Sequence, residues 1–336
     1  MQFGLMAGTG APSSGASWHE RFEGSAAWCR EVSSLGYKLL WWGGGERSAD
    51  PRTTVTRLAA VDAGLDLAIL YLSPLFHPVR LAAEIAEWDR ISSGRTTIAV
   101  AQGWRDRQFQ AYGVSKNERL GRFTESLEAM KQLWQRDQVS FRGKYYQFDT
   151  PASGERADAA TAVPRPIQQP HPRILVAANG DAAIRRAATI ADGWLISTRS
   201  TYSVIAKQVE IYREACTAVG RKPVIWAWRD AYCAKDWTTA IETVRPALES
   251  FYADRAQLGH DRDLPQGDSL TGPLEDIVRS RLIIGSPDEC AKQIEMYKAL
   301  GIENISMRMQ WEGMTPAQGM ASARLMASEV LSRFRT

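Results

Sequence analysis

Short apolar runs of strand length alternate with longer stretches of helical spacing along this chain, and that rhythm limits the folds open to it. Strand-like runs are read at residues 2–7, 37–42, 66–72, 96–101, 173–178, 192–197, 224–231 and 304–309. Helical patterns fall at 17–34, 50–62, 78–91, 117–136, 181–190, 202–219, 240–253, 288–300 and 315–334. Pro51 stands in the first turn of its helix, where a missing N–H costs nothing. Eight strands, each followed by a helix, predict an α/β fold: a closed parallel (β/α)8 TIM barrel, one domain over residues 1–336. An open doubly wound sheet leaves the last strands and helix without a place. No G-x-G-x-x-G opens the first helix either. Residues 139–148, with Arg142-Gly143-Lys144 at their centre, read as a hairpin that interrupts the rhythm.

Two segments exceed what a barrel needs. Residues 150–169 are rich in Pro, Ala and charge; residues 254–273 are polar and contain glycine. Both are read as lid insertions at the C-terminal face, where barrels place their chemistry.

Composition removes several classes of function. With 44% hydrophobic and 24% charged residues the chain has the make-up of a soluble globular protein, and a net charge of +3, evenly spread, gives no footprint for nucleic acid. Cys29, Cys216, Cys233 and Cys290 lack C-x-x-C spacing, so neither a disulfide framework nor a metal site is expected. No apolar run approaches the roughly 20 residues that span a bilayer. The opening Met1-Gln2-Phe3-Gly4-Leu5-Met6 reads as a strand rather than a signal peptide. A cytoplasmic protein with no membrane partner is the expectation.

The twelve tryptophans divide by position. Trp18, Trp28, Trp88 and Trp134 fall on helical patterns and are expected to pack helices onto the barrel. Trp41, Trp42, Trp104, Trp194 and Trp311 lie near strand ends, where a flat ring suits a planar cofactor or an apolar substrate.

Candidate chemistry clusters at the strand ends. Ala177-Ala178-Asn179-Gly180-Asp181-Ala182-Ala183 passes from a strand into a helix, and the unpaired N–H groups and dipole of such a helix start make an anion site. The Asp181 carboxylate would repel a phosphate there unless it turned to cap the helix. Gln102, at the end of the fourth strand, is placed to hydrogen-bond a bound cofactor. Of the four histidines, His77 and His171 read as structural. His260 falls in the second insertion, and His19 follows the loop after the first strand, near the barrel mouth. Tyr71 and Arg308, near the ends of the third and eighth strands, are placed to orient a substrate oxygen. His19, Tyr71 and Arg308 are thus the catalytic candidates.

The stretch from Val79 to Phe148 narrows the class. It contains V-R-L-A-A-E-I-A-E-W-D-R-I-S-S-G-R-T-T-I-A-V-A-Q-G-W, F-Q-A-Y-G-V, E-R-L-G-R-F and V-S-F-R-G-K-Y-Y-Q-F. It closely resembles the luciferase-like monooxygenase superfamily of flavin- or deazaflavin-dependent barrels. Ile184–Trp194 (I-R-R-A-A-T-I-A-D-G-W), L-I-I-G-S-P-D-E at 282–289 and M-A-S-E-V-L-S-R-F-R at 326–335 extend the likeness. It runs from Gly36 to Arg335, apart from the insertions and residues 237–281.

The resemblance implies a flavin phosphate at Asn179, Gly180, Asp181 and Ala182, and Gln102 on the ribityl chain or ring edge. It also implies a non-proline cis peptide near Ile69 and Leu70 beneath the isoalloxazine ring. Two departures stand out. Where relatives carry E-H-H after the second strand, this chain has Gly43-Gly44-Gly45-Glu46-Arg47-Ser48, and the glutamate of W-x-x-x-E-F is Gln108. The function implied is a two-component monooxygenase. A flavin reductase supplies FMNH2, oxygen adds to the flavin, and a small hydrophobic organic substrate is oxidised. Alternatives are hydride transfer with the deazaflavin F420 and, prompted by the two departures, a non-enzymatic flavin-binding barrel. A homodimer is also implied.

Overall fold

Leu39, Trp41, Ala68, Ala99, Leu175, Leu195 and Trp226 sit at every second position of their strands and meet in one buried cluster. Leu40, Ile69, Ile98, Val100, Ile174 and Val176, on the alternate positions, pack outward with the helices. That two-sided burial is the expected state of a parallel barrel strand. The computed structural model describes residues 1–6, 17–43, 51–61, 64–150, 163–259, 264 and 268–334. Eight parallel strands close the barrel: β1 (Gln2–Met6), β2 (Leu39–Gly43), β3 (Asp66–Leu72), β4 (Thr96–Ala101), β7 (Arg173–Ala177), β8 (Gly193–Ile196), β9 (Ile225–Cys233) and β11 (Asn304–Arg308). Each pairs with the next, and β11 pairs back to β1 from Gln2 opposite Asn304 to Leu5 opposite Met307.

The flanking helices are α1 (Trp18–Ser34), α2 (Pro51–Ala60), α3 (Pro78–Ile91), α4 (Asp106–Ala111), α5 (Arg119–Gln135), α6 (Asp181–Ile190), α7 (Tyr202–Ala218), α8 (Trp237–Gln257), α9 (Leu274–Arg281), α10 (Pro287–Ala299) and α11 (Pro316–Leu325). A hairpin of β5 (Ser140–Arg142) and β6 (Gln147–Asp149) packs outside, with Phe148 and Tyr146 edge-on to His77. The barrel interior is tight at its lower end. A Cβ on Gly4 would stand 2.6 Å from Ser306 Oγ and 2.7 Å from the Leu39 carbonyl, so only glycine fits.

Four features depart from expectation. A short strand, β10 (Ile283–Gly285), pairs with the end of β9, and its three residues are too few to give a periodic signal. The helix expected over 240–253 runs from Trp237 to Gln257, taking in the start of the second insertion. The helix expected over 315–334 ends its regular turn at Leu325 and finishes in wider and tighter turns to Phe334. The cis peptide expected near Ile69 and Leu70 is absent. β3 keeps unbroken register with β2 and β4 through those residues, and the cis bond among the described residues is Gln169–Pro170.

The insertions part company. The described end of the first, residues 163–169, sits at the opposite end from the mouth. The Gln168 side chain donates to the Thr96 carbonyl at the start of β4 (2.7 Å) and to Asp89 Oδ1 (2.6 Å). The insertion follows α5 and the hairpin rather than a strand, which returns the chain to the barrel floor. Residues 151–162 lie outside the described residues. The second insertion does reach the mouth. Asp268 accepts from the amide of Thr201, the residue that caps α7 after β8 (3.2 Å), and pairs with Arg281 of α9.

Candidate active site

Polar residues occupy consecutive strand ends around the mouth. Gln102 follows β4, Asn179 follows β7, Ser197 follows β8, Asp230 lies in β9 and Arg308 ends β11. Adjacent strands pair in that order, so these residues form an arc over the apolar plug.

At the start of α6 the backbone is prepared for an anion. Asn179 is held from two sides: Ser197 Oγ donates to its Oδ1 (2.6 Å) and Gln208 Nε2 to its carbonyl (2.5 Å). Gly180 caps the helix with extended backbone and no side-chain bond. A Cβ added there would meet nothing within 4 Å, so the approach to the first-turn N–H groups is open. Asp181 is exposed and makes no cap bond. The capping role considered for it, or for Asn179, is not adopted.

β4 ends in a turn that glycine alone accommodates easily. Gly103 has φ +74°, and a Cβ there would press 3.2 Å from the Phe109 ring. Gln102, beside it, is partly buried and makes no hydrogen bond among the described residues. Arg105 stacks its guanidinium 4.9 Å over Trp104.

Further round the mouth, β9, β11 and α8 gather formal charges. Trp226, Trp228 and Asp230 take alternate positions in β9, as do Asn304, Ser306 and Arg308 in β11. The register sets Arg308 opposite Asp230, and Arg308 Nε donates to Asp230 Oδ1 at 2.7 Å. α8 brings Phe251, Tyr252 and Arg255 against this pair. The Arg308 and Arg255 guanidinium carbons lie 4.3 and 4.1 Å from the Phe251 ring centroid. Burial draws the Arg255 guanidinium down to about 10, with repulsion from Arg308 adding to it and Asp230 opposing. Fully buried Arg229 holds the loop above β8, donating to the carbonyls of Ser197 (3.0 Å) and Ser200 (3.1 Å).

The structure sorts the sequence candidates. Arg308, Gln102, Asn179, Gly180, Asp181 and Ala182 all stand at the mouth, and Leu70 belongs to the inward-facing cluster beneath it. Ile69 and Tyr71 do not. Strand alternation turns both into the helix layer, where Tyr71 stacks on Trp88 and donates to Glu84 Oε1 (2.7 Å). Tyr71 therefore cannot orient a substrate in the barrel. Tyr71→Phe is expected to lose about 1 kcal/mol of stability and leave cofactor affinity unchanged. Thermal unfolding and a flavin titration on the same preparation check both halves. His19 is exposed in the first turn of α1, with no polar partner among the described residues. His260 and the loop at 44–50 lie outside the described residues. His77 and His171 pack against aromatic rings, as structural histidines do.

The tryptophans are also re-sorted. Trp42 and Trp194 face the helix layer and Trp311 joins a second core under α8. Trp41 is buried inside the barrel, edge-on to Trp226 and Trp228. Asp230, Arg229 and Arg255 were missed. The W-x-W-x-D and N-x-S-x-R spacings in β9 and β11 carried the signal for the first; nothing local marks Arg255. Among the described residues no cluster of His, Cys, Asp and Glu could hold a metal, and no helix is long and apolar enough to cross a membrane. With few acid–base groups at the mouth, the arrangement suits a reaction whose chemistry comes from a bound cofactor.

Known proteins resemble this chain in sequence and fold. The FMNH2-dependent dimethylsulfone monooxygenase of Pseudomonas putida is 26% identical over 264 residues, covering 74% of this chain and 70% of its own. The F420-dependent glucose-6-phosphate dehydrogenase of Segniliparus rotundus is 25% identical, covering 70% of each chain. The crystal structure of monooxygenase RslO1 from Streptomyces bottropensis superposes with a TM-score of 0.83 at 26% identity, over 100% of both chains. The family model for luciferase-like monooxygenases matches residues 1–304. With that match, and a closed eight-stranded barrel whose mouth presents an open helix start, this chain belongs to the luciferase-like monooxygenase family.

Proposed function

We propose that the protein is a flavin-dependent monooxygenase that uses FMNH2 and O2 to oxidise a small organic substrate. A separate flavin reductase is its partner. The observation that carries the reading is the start of α6, with open space at Gly180 and Asn179 locked by Ser197 and Gln208. Its first-turn amides, at Asp181 and Ala182, would hold the phosphate. Gln102, one strand end away, would hydrogen-bond the polar part of the cofactor, and Leu70 would lie under its apolar part. The reduced flavin supplies the electrons that activate oxygen; the protein binds, orients and excludes water. The homodimer and the cytoplasmic setting belong to the same reading.

Hydride transfer with F420 is the second reading, supported by the Segniliparus relative and by the positive charge at the mouth. A flavin-binding barrel without activity has less support, because it gives the charges at β9 and β11 no use.

Charge at the phosphate site tests the placement. Asp181→Asn removes a carboxylate from the helix start, so FMNH2 affinity is expected to rise about two- to fivefold. Riboflavin, which has no phosphate, should not respond. Anaerobic titrations of both compounds with both proteins decide it. Equal responses for the two ligands, or none, would place the phosphate elsewhere.

A further inference from the structure

The flavin reading leaves a group of charges at the ends of β9 and β11 without a task. Arg308 puts two nitrogens on a single oxygen of Asp230: Nε at 2.7 Å and Nη2 at 2.5 Å from Oδ1. The other oxygen, Oδ2, is buried and makes no hydrogen bond, so the pair forgoes the two-pronged geometry that a guanidinium and a carboxylate prefer. Asp230 is 1% exposed. Among the described residues it is the carboxylate that acts on both Arg308 and Arg255, so there one negative charge answers two positive ones. Arg255's hydrogen bond runs to Thr198 Oγ1 at 3.4 Å, near the limit for such a contact. Both guanidinium groups lie over the Phe251 ring. Beside them the Tyr252 hydroxyl is buried and has no hydrogen-bond partner among the described residues.

Burying surplus positive charge is costly unless an anion shares the site. Unused donors next to that charge add to the cost, and both are relieved by the same ligand. Neutral hydrophobic molecules would do neither.

We propose that Arg255 and Arg308 bind an anionic group, a carboxylate or sulfonate, on the substrate, with Asp230 acting as a positioning residue for Arg308. The substrate is then an organic acid rather than the neutral hydrophobic molecule expected from the tryptophan content. This rests on the oxidoreductase reading only for the word substrate, because the anion site itself is built from β9, β11 and α8. Those elements are separate from the α6 turn that would take the cofactor phosphate, with β9 two strands and β11 three strands from β7.

The experiment is calorimetric titration of the full-length protein, with and without saturating FMN. The probes are benzoate, hexanoate and hexanesulfonate, each set against a neutral counterpart: benzamide, hexanamide and hexanol. At least one acid is expected to bind tenfold or more tightly than its counterpart. Arg255→Gln should abolish that preference, while Arg255→Lys, which keeps the charge, retains part of it. FMN affinity should not change in either variant. Acids that never outbind their counterparts on the unmodified protein would overturn the proposal, whatever the variants do. So would an Arg255→Gln protein that loses FMN instead of the acid, since the arginines would then serve the cofactor. Acid binding by a protein that takes up neither FMN nor F420 would leave the anion site standing and sink the flavin reading.

Discussion

Trp41→Ala is expected to destabilise the protein by about 3–5 kcal/mol, the usual cost of removing a large buried aromatic. The ring has 0% exposure and stands edge-on to Trp226 and Trp228, with centroids 6.3 and 5.0 Å away. Its strand is hydrogen-bonded on both sides, to β1 and β3, so the backbone cannot move in to fill the space. In a chain of this size the loss should lower the melting temperature by roughly 10 °C. Trp41→Phe keeps an aromatic edge in the plug and should cost less than half as much. Denaturant unfolding of the three proteins decides it. A loss under about 1 kcal/mol for Trp41→Ala would mean that the barrel interior is not packed as described.

The second large effect is at the ion pair that fastens the second insertion. Arg281 and Asp268 have side chains 3% and 1% exposed, and Asp268 also accepts the Thr201 amide that opens α7. Asp268→Ala strands the Arg281 guanidinium in a buried site, a change that costs about 3–5 kcal/mol. Part of that cost should appear as local opening, with faster amide exchange at Thr201 and through α9. Asp268→Ala combined with Arg281→Met removes both charges and should recover most of the loss, because an apolar pair of similar volume needs no partner. A double variant no more stable than Asp268→Ala would show that the pair stabilises by attraction rather than by avoiding a stranded charge. Unchanged exchange at Thr201 in the single variant would mean that the insertion is not fastened there.

The fold was legible because its signal repeats. β3, β4, α3 and α6 begin and end where the sequence places them, and each strand end is marked by a break in apolar spacing. β10 and α9 were missed because three and eight residues give too little periodicity, and α9 lies in a stretch without family likeness. The start of α6 was readable at Asn179 and Gly180 because helix starts have local chemistry. Tyr71 was misplaced because nearness to a strand end says nothing about the face. Counting by twos from Leu70, which points inward, puts Tyr71 in the helix layer. Arg255 was invisible for a different reason. It sits near the end of a 21-residue helix, one turn after Phe251, and only the path of α8 brings it to Arg308.

On the proposed function, this barrel binds reduced flavin and directs it to oxygen. The most direct test mixes the anaerobic FMNH2 complex rapidly with oxygenated buffer and follows flavin absorbance, beside a parallel titration with F420. Tight FMNH2 binding is expected, with reoxidation in more than one phase, the last far slower than for free FMNH2. Single-phase reoxidation at the rate of free FMNH2, together with tighter binding of F420, would contradict it.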